Sequence, residues 1–201
     1  MKFLLRSASY IFHPVWMPLA GSLFYFIITP RFFPSGVIQA KLLAIAILTI
    51  FIPIVFYFLL RNLRKIESIF MQDARERRWP LFFFILLLLM VLRQILNVYN
   101  YPALYFYFAG ILASSAFAYA FAVFKIKISL HMMGLAGLTM FLAGLSIHYR
   151  INLVYSILFL VLAMGLTGSS RLYYKAHTPP ELLLGFLAGL LPQLILWRFW
   201  L

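Results

Sequence analysis

The sequence lacks cysteine altogether and has only four acidic residues among its 201. Without cysteine, disulfides, thiolate metal ligands and a cysteine nucleophile are excluded. Charged residues make up 10% of the chain and hydrophobic residues 65%, a composition that excludes an ordinary soluble domain. The first apolar stretch is interrupted by His13, Pro14 and Pro18 and has no small-residue cleavage site. We therefore expect it to stay in the protein rather than to be removed as a signal peptide.

Long charge-free apolar runs are what the chain does have. A helix needs about 20 apolar residues to cross the hydrocarbon core, so 201 residues can hold about seven spans with short connections. We predict an all-α fold: a polytopic transmembrane helical bundle forming a single domain over residues 1–201, with about seven spans and six as the alternative. The predicted spans are Val15–Phe33, Leu42–Leu60, Leu81–Val98, Ala103–Phe124, Leu130–Ile147, Ile151–Leu166 and Leu182–Trp200.

Three polar connections interrupt the apolar pattern: Arg61–Pro80, Lys125–Ser129 and Gly168–Glu181. Two spans separate each from the next, so helix parity predicts that all three lie on one face, together with the N-terminus. Most of the seventeen basic residues fall on that face. The positive-inside rule would make it cytoplasmic, whereas basic residues that bind phosphate would produce the same bias.

The third connection has the residue types of a nucleophilic site. His177 precedes Glu181 by four residues, a spacing at which a helical turn lets the carboxylate accept a proton from one ring nitrogen and leaves the other as a nucleophile. Pro179 and Pro180 suit a helix start, where the positive dipole end favours a nearby phosphate. Arg171 could bind an anionic group bidentately.

The second connection adds another histidine. His131 opens an apolar helix, with Ser129 and two lysines just before it. On the same face as His177, it would supply a general acid beside a nucleophile, a division of labour that phosphoryl transfer can use without a metal.

These residues resemble the type 2 phosphatidic acid phosphatase superfamily, whose motifs are K-x6-R-P, P-S-G-H and S-R-x5-H-x3-D. Ser170, Arg171 and His177 match the third motif at its spacing, and Glu181 stands where the family has aspartate. The second motif is matched in part, since Ser129-x-His131 is kept while Ile128 and Leu130 replace proline and glycine.

The first motif is the weakest match. Arg78-Trp79-Pro80 has one residue inserted into R-P, and Met71 stands in the place of the lysine. Arg75 and Arg77 are the possible substitutes. The resemblance extends from Ile66 to Gly189, and two predicted spans separate its first two motifs, which the family usually places in one connection.

The resemblance implies a role for each matched residue. His177 would attack phosphorus to form a phosphohistidine, Glu181 would orient the imidazole, and His131 would protonate the leaving alkoxide. The phosphate oxygens would be held by Arg171, Ser170, Ser129 and one or more of Arg75, Arg77 and Arg78. The resemblance thus implies a metal-independent phosphoric ester hydrolase that needs no cofactor.

The expected partners are membrane lipids, with a phospholipid or a polyprenyl phosphate as the substrate; we expect no nucleic acid, and the oligomeric state is open. We predict an integral multi-pass protein of a bacterial cytoplasmic membrane. Sites of this family commonly face away from the cytoplasm in bacteria, against the charge count, so the side of the charged face is also open.

Two other functions stay open. A catalytically inactive relative would bind anionic lipid or a membrane partner, in keeping with the altered second motif. A prenyl-transfer enzyme would hold a diphosphate through magnesium at the run Asp73–Arg78, but the chain has few acidic ligands for it.

Overall fold

The computed structural model describes residues 2–66 and 73–201, and this part of the chain contains seven helical spans long and apolar enough to cross a membrane. The predicted all-α multi-pass fold is therefore confirmed. Met71 and the rest of 67–72, which are part of the connection Arg61–Pro80, lie outside the described residues. The spans are Ser7–Ile28, Ser35–Asn62, Ala74–Ile95, Pro102–Val123, Leu130–Tyr149, Val154–Tyr173 and Pro179–Phe199.

Nine α-helices in the described residues build these spans, because several spans are interrupted. The helices are α1 (Lys2–Ile11), α2 (Met17–Ile28), α3 (Ser35–Ala46), α4 (Ile52–Asn62), α5 (Arg78–Met90), α6 (Pro102–Val123), α7 (Leu130–Tyr149), α8 (Val154–Tyr173) and α9 (Pro179–Leu196).

Proline explains two of the interruptions. Pro14 opens a 3-10 turn, Pro14–Trp16, between α1 and α2. Between α3 and α4 the chain forms a π-helical turn, Ile47–Phe51, just before Pro53. Because proline has no N–H to donate to the carbonyl four residues back, the wider turn re-pairs the backbone there, with the Ile52 N–H donating to the Ile47 carbonyl.

Four predicted boundaries were wrong by seven or eight residues. The first three spans begin at Ser7, Ser35 and Ala74 rather than at Val15, Leu42 and Leu81, and α8 runs to Tyr173 rather than stopping at Leu166. Ser170 and Arg171 therefore lie on a helix and not in the predicted connection Gly168–Glu181. The reason is that α1 packs against this end of α8, and the Ser170 hydroxyl donates to the Leu5 carbonyl at 2.6 Å. A polar turn that finds partners within the protein can continue as helix.

The central helix is α7. Of the residues in its most apolar 18-residue stretch, 56% are buried inside the protein, against 22–39% in the other six spans. It packs closely on α9, which runs parallel to it. A Cβ on Gly185 would lie 2.3 Å from the Ser129 carbonyl oxygen, and one on Gly189 would lie 2.0 Å from that of Met133. Only glycine allows the two backbones to approach this closely.

The polar connections meet at one end of the bundle, which we call the site end. Arg77, in the 3-10 turn Ala74–Arg77, donates from Nη1 to the Ile128 carbonyl at 2.7 Å. Lys127 donates from Nζ to the Ala176 carbonyl at 2.7 Å. The predicted parity is thus confirmed, since the connections before α5, α7 and α9 touch one another.

Candidate active site

His177 sits in a five-residue loop, 174–178, whose shape follows from its ends. At Lys175 the backbone turns left-handed, with φ of 51°, and the N–H groups of Ala176 and His177 fold back onto the Arg171 carbonyl. Thr178 is extended, as the residue before a proline must be, and Pro179 starts α9. This local sequence places the His177 ring against the first turn of α9.

Glu181, in the first turn of α9, holds that ring. Its Oε2 lies 2.6 Å from His177 Nδ1 and 3.4 Å from the backbone N of Thr178, which donates to it. The His177 side chain is 5% exposed and that of Glu181 24%. With Nδ1 committed to the carboxylate, the lone pair for nucleophilic attack is on Nε2.

The protein environment keeps His177 uncharged. The pKa of His177 is lowered from 6.5 to about 4: burial is the largest cause, and the positive charges of Arg77 and Lys127 also lower the pKa, while the hydrogen bond and the charge of Glu181 raise it. Because a protonated imidazole has no lone pair on Nε2, this environment favours the nucleophilic form at neutral pH.

An open depression of about 350 Å³ lies over this pair. Its volume is sufficient for a phosphate group and the adjoining part of an ester. The depression is lined by Lys127, Leu172, Lys175, Ala176, His177, Thr178, Pro179 and Glu181.

His131 and Arg171 form a second group beside the first. His131 is 9% exposed, and its Nε2 lies 2.9 Å from Arg171 Nη2 and 3.0 Å from the Ser9 carbonyl oxygen. A guanidinium only donates and a carbonyl only accepts, so Nε2 can satisfy only one of them at a time. Bare Nε2 accepts from Arg171, and protonated Nε2 donates to Ser9. His131 and His177 are close enough to interact electrostatically.

The two predicted serine ligands are buried and take part in helix contacts. The Ser129 hydroxyl caps α7 by accepting from the Met132 N–H at 3.4 Å. The backbone N–H of Ser129 donates to the Glu181 carbonyl at 3.0 Å. The Ser170 hydroxyl contacts the Ser9 hydroxyl at 2.8 Å and the Leu5 carbonyl. Neither serine lines the depression, so their predicted role as phosphate ligands would require rearrangement.

The three predicted arginines lie in different settings. Arg77 is 7% exposed and lies within electrostatic range of Glu181 and Arg171. Arg78 donates to the carbonyls of Ala122 and Val123 at the end of α6. The Arg75 side chain is exposed. Of the three, Arg77 is the one that acts electrostatically on His177 and Glu181.

Sequence reasoning missed three groups at the site. The ring of His13 packs edge-on against His131 with centroids 5.2 Å apart, although His13 belongs to no motif. The Ser9 carbonyl has no signature in a sequence, because every residue carries one. Lys127 could have been found, since it lies two residues before Ser129 in the same short connection.

Within the part of the chain that the structure describes, no group of three or more His, Cys, Asp or Glu side chains could hold a metal ion. Comparison with protein-family models, with curated proteins and with solved structures returned no match for this chain. Its function must therefore be inferred from the residues and their geometry.

Proposed function

We propose that this protein is a membrane phosphatase that hydrolyses a lipid phosphomonoester or diphosphate through a phosphohistidine on His177, as a divergent member of the type 2 phosphatidic acid phosphatase superfamily. The observation that carries the proposal is the 2.6 Å contact between His177 Nδ1 and Glu181 Oε2 at the wall of the depression. A neutral imidazole oriented by a carboxylate is the arrangement that nucleophilic catalysis requires.

In the first step, the lone pair of His177 Nε2 attacks phosphorus and the bond from phosphorus to the ester oxygen breaks. The imidazole becomes cationic as the P–N bond forms, and Glu181 stabilises that charge through Nδ1–H. The leaving alkoxide takes a proton from His131 Nε2 and departs as an alcohol. Arg171 and Arg77 stabilise the negative charge on the phosphoryl oxygens.

In the second step, water attacks the phosphohistidine. His131 takes one proton from that water, the P–N bond breaks, and inorganic phosphate leaves while His177 regains its lone pair. The sum of the two steps is ester plus water giving alcohol plus phosphate, and both histidines return to their starting states.

The contact between Arg171 and His131 gives the substrate a way to prepare the acid. Arg171 Nη2 lies 2.9 Å from His131 Nε2 and donates to it when Nε2 carries no proton. When a phosphate draws the guanidinium away, Nε2 can bind a proton, and the Ser9 carbonyl 3.0 Å away can accept its N–H. Substrate binding and protonation of His131 are thereby coupled.

Lipid substrates are favoured by the position of the depression. It lies at the ends of α8 and α9, where these spans leave the hydrocarbon, and Leu172 and Pro179 line it beside the charged groups. Leu172 is 43% exposed. A phosphorylated headgroup would reach Lys127 and His177 while its acyl or prenyl chain stays among the exposed apolar side chains.

Phosphate release from phosphatidate, phosphatidylglycerol phosphate and polyprenyl phosphates tests the proposal, using purified protein in detergent with a chelator present. We expect turnover, and we expect His177→Ala to lower kcat by about a thousandfold or more. The matched control is His148→Ala, at the far end of α7, which should retain full activity. Unchanged phosphate release by His177→Ala would rule out the proposal.

A second candidate is a non-catalytic binder of anionic lipid. It is favoured by one observation: Arg171 is bound to His131, and Ser129 and Ser170 are turned to helix contacts, so none of the four lines the depression. This candidate predicts vesicle binding that weakens with salt, together with no phosphate release from any of the lipids above.

A further inference from the structure

Lys127 joins the two connections that carry the site. It belongs to the connection between α6 and α7, yet its Nζ donates at 2.7 Å to the carbonyl of Ala176, in the loop between α8 and α9. Ala176 directly precedes His177. The ammonium group is therefore held next to the backbone that bears the histidine.

Lys127 also belongs to the wall of the depression. Lys127 lines it together with His177 and Glu181, and its side chain is half-buried. An ammonium carries three donor hydrogens, and the carbonyl of Ala176 uses one. The remaining two can be donated to an anion in the depression.

The charges around Lys127 are those of an anion site. Burial lowers the pKa of Lys127, Arg77 and Arg171 lower it further, and only Glu181 acts the other way. Three cations repel one another here, with Glu181 beside them and Glu76 beside Arg77. Bringing a phosphate into the depression would reduce that repulsion, since it adds negative charge next to Lys127.

A purely structural role explains these facts less well. The carbonyl of a five-residue surface loop can be satisfied by water, and desolvating an ammonium beside two guanidinium groups is unfavourable. Lys125, two residues earlier in the same connection, is exposed and shows what an ordinary lysine of this surface does.

We propose that Lys127 is a phosphate-binding residue of the site, donating to the phosphoryl oxygens of the substrate and of the inorganic phosphate product. This inference rests on the phosphate site proposed above and adds to it a ligand from the second connection. It brings Lys127 and His177 to the phosphoryl group from two different connections of the chain, with Arg171 within electrostatic range of Lys127.

Chemical modification tests the inference without any lipid substrate. The purified protein would be treated by reductive methylation and each lysine followed by mass spectrometry, with inorganic phosphate as the probe and sodium chloride at equal ionic strength as the control. At phosphate ten times its Kd, only about a tenth of the sites stay empty, so we expect methylation of Lys127 to slow about tenfold. Methylation of Lys125 should not change.

Protection of His177 from diethylpyrocarbonate, measured in parallel, reports whether phosphate occupies the site at all. If phosphate protects His177 but leaves the methylation of Lys127 unchanged, the role of Lys127 is wrong and the proposed function stands. If phosphate protects neither residue, there is no phosphate site, and both proposals are wrong.

Two variants separate charge from hydrogen bonding. Lys127→Gln keeps a donor for the Ala176 carbonyl but loses the charge, and we expect it to weaken phosphate binding about 10- to 100-fold. Lys127→Arg should bind within a few fold of the unmodified protein, and Lys125→Gln should bind like it. Equal phosphate affinity for Lys127→Gln and the unmodified protein, with equal thermal stability, would overturn the inference.

Discussion

The two ends of α7 each carry a histidine, and their surroundings differ in kind. His131, at the site end, is 9% exposed and lies among Arg171, the Ser9 carbonyl and the ring of His13. His148, at the other end, is exposed and packs its ring against Tyr149 and Trp200, with centroids 4.7 and 5.7 Å apart. Histidine on this helix therefore contacts hydrogen-bonding groups at one end and packs against aromatic rings at the other.

The cations differ in the same way. At the far end, Lys41 donates to the Ile95 carbonyl and Arg31 to that of Asn100, so each side chain forms a hydrogen bond with a backbone oxygen. At the site end Lys127 also bonds a carbonyl, but it stands within electrostatic range of Arg77, Arg171 and Glu181. Basic residues alone therefore do not mark a site, whereas a cluster of them around imidazoles and a carboxylate marks a candidate site.

The largest expected effect is the difference in activity between variants of the two histidines of α7. Under the proposed mechanism, His131→Ala removes the general acid and should lower kcat for a lipid phosphate by about 100- to 10,000-fold, whereas His148→Ala should leave it unchanged. Phosphate release by the two purified variants measures the difference. A substrate with a good leaving group, such as p-nitrophenyl phosphate, needs less protonation and should show a smaller loss in His131→Ala; equal losses for both substrates would contradict the acid role.

A smaller effect is expected at the glycines that let α7 pack. At the site end a Cβ on Gly185 would lie 2.3 Å from the Ser129 backbone oxygen, whereas at the far end a Cβ on Gly144 would meet the Trp200 side chain at 2.7 Å. A side chain can turn aside and a helix backbone cannot. We expect Gly185→Ala to destabilise by about 1–3 kcal/mol or more and Gly144→Ala by less, measured by thermal unfolding in detergent.

Gly165→Ala is the control for that series, because nothing lies within 4 Å of the added methyl group. It should be neutral or slightly stabilising, as expected for an open helical position. Equal losses at Gly185 and Gly144 would show that the backbone contact between α7 and α9 is looser than these distances indicate.

The smallest effect concerns the charge state of His177. With its pKa lowered to about 4, His177 is neutral at both pH 5 and pH 7. Diethylpyrocarbonate reacts with neutral imidazole, so its second-order rate constant at His177 should fall by only about a tenth between pH 7 and pH 5. An ordinary histidine would lose about 25-fold. A fall of the latter size, followed by mass spectrometry at His177, would show that burial and the neighbouring cations do not lower its pKa.

Much of this architecture could be predicted from the sequence, because hydrocarbon imposes a simple rule on span length and polarity. The pairing of His177 with Glu181 was also predictable, since His177 lies just before the start of α9 and Glu181 lies in its first turn, so the four-residue spacing brings them together.

The rest depended on packing that no local pattern encodes. From the sequence we predict that the sixth span ends at Leu166, because Ser169, Ser170 and Arg171 are polar. In the structure α1 packs against that turn and Leu5 accepts the hydrogen bond of Ser170, so α8 continues to Tyr173. The same packing brings the Ser9 carbonyl to His131 across more than a hundred residues. Contacts of this kind require the tertiary fold.

The described residues contain seven spans, an odd number, and this has a practical consequence. The chain starts at the end of the bundle that holds His177, where Leu5 meets Ser170, and after the last crossing Leu201 is on the other side of the bilayer. A reporter fused behind Leu201 would therefore read the compartment opposite to the depression. A single fusion, active on only one side of a membrane, would show which compartment the depression faces.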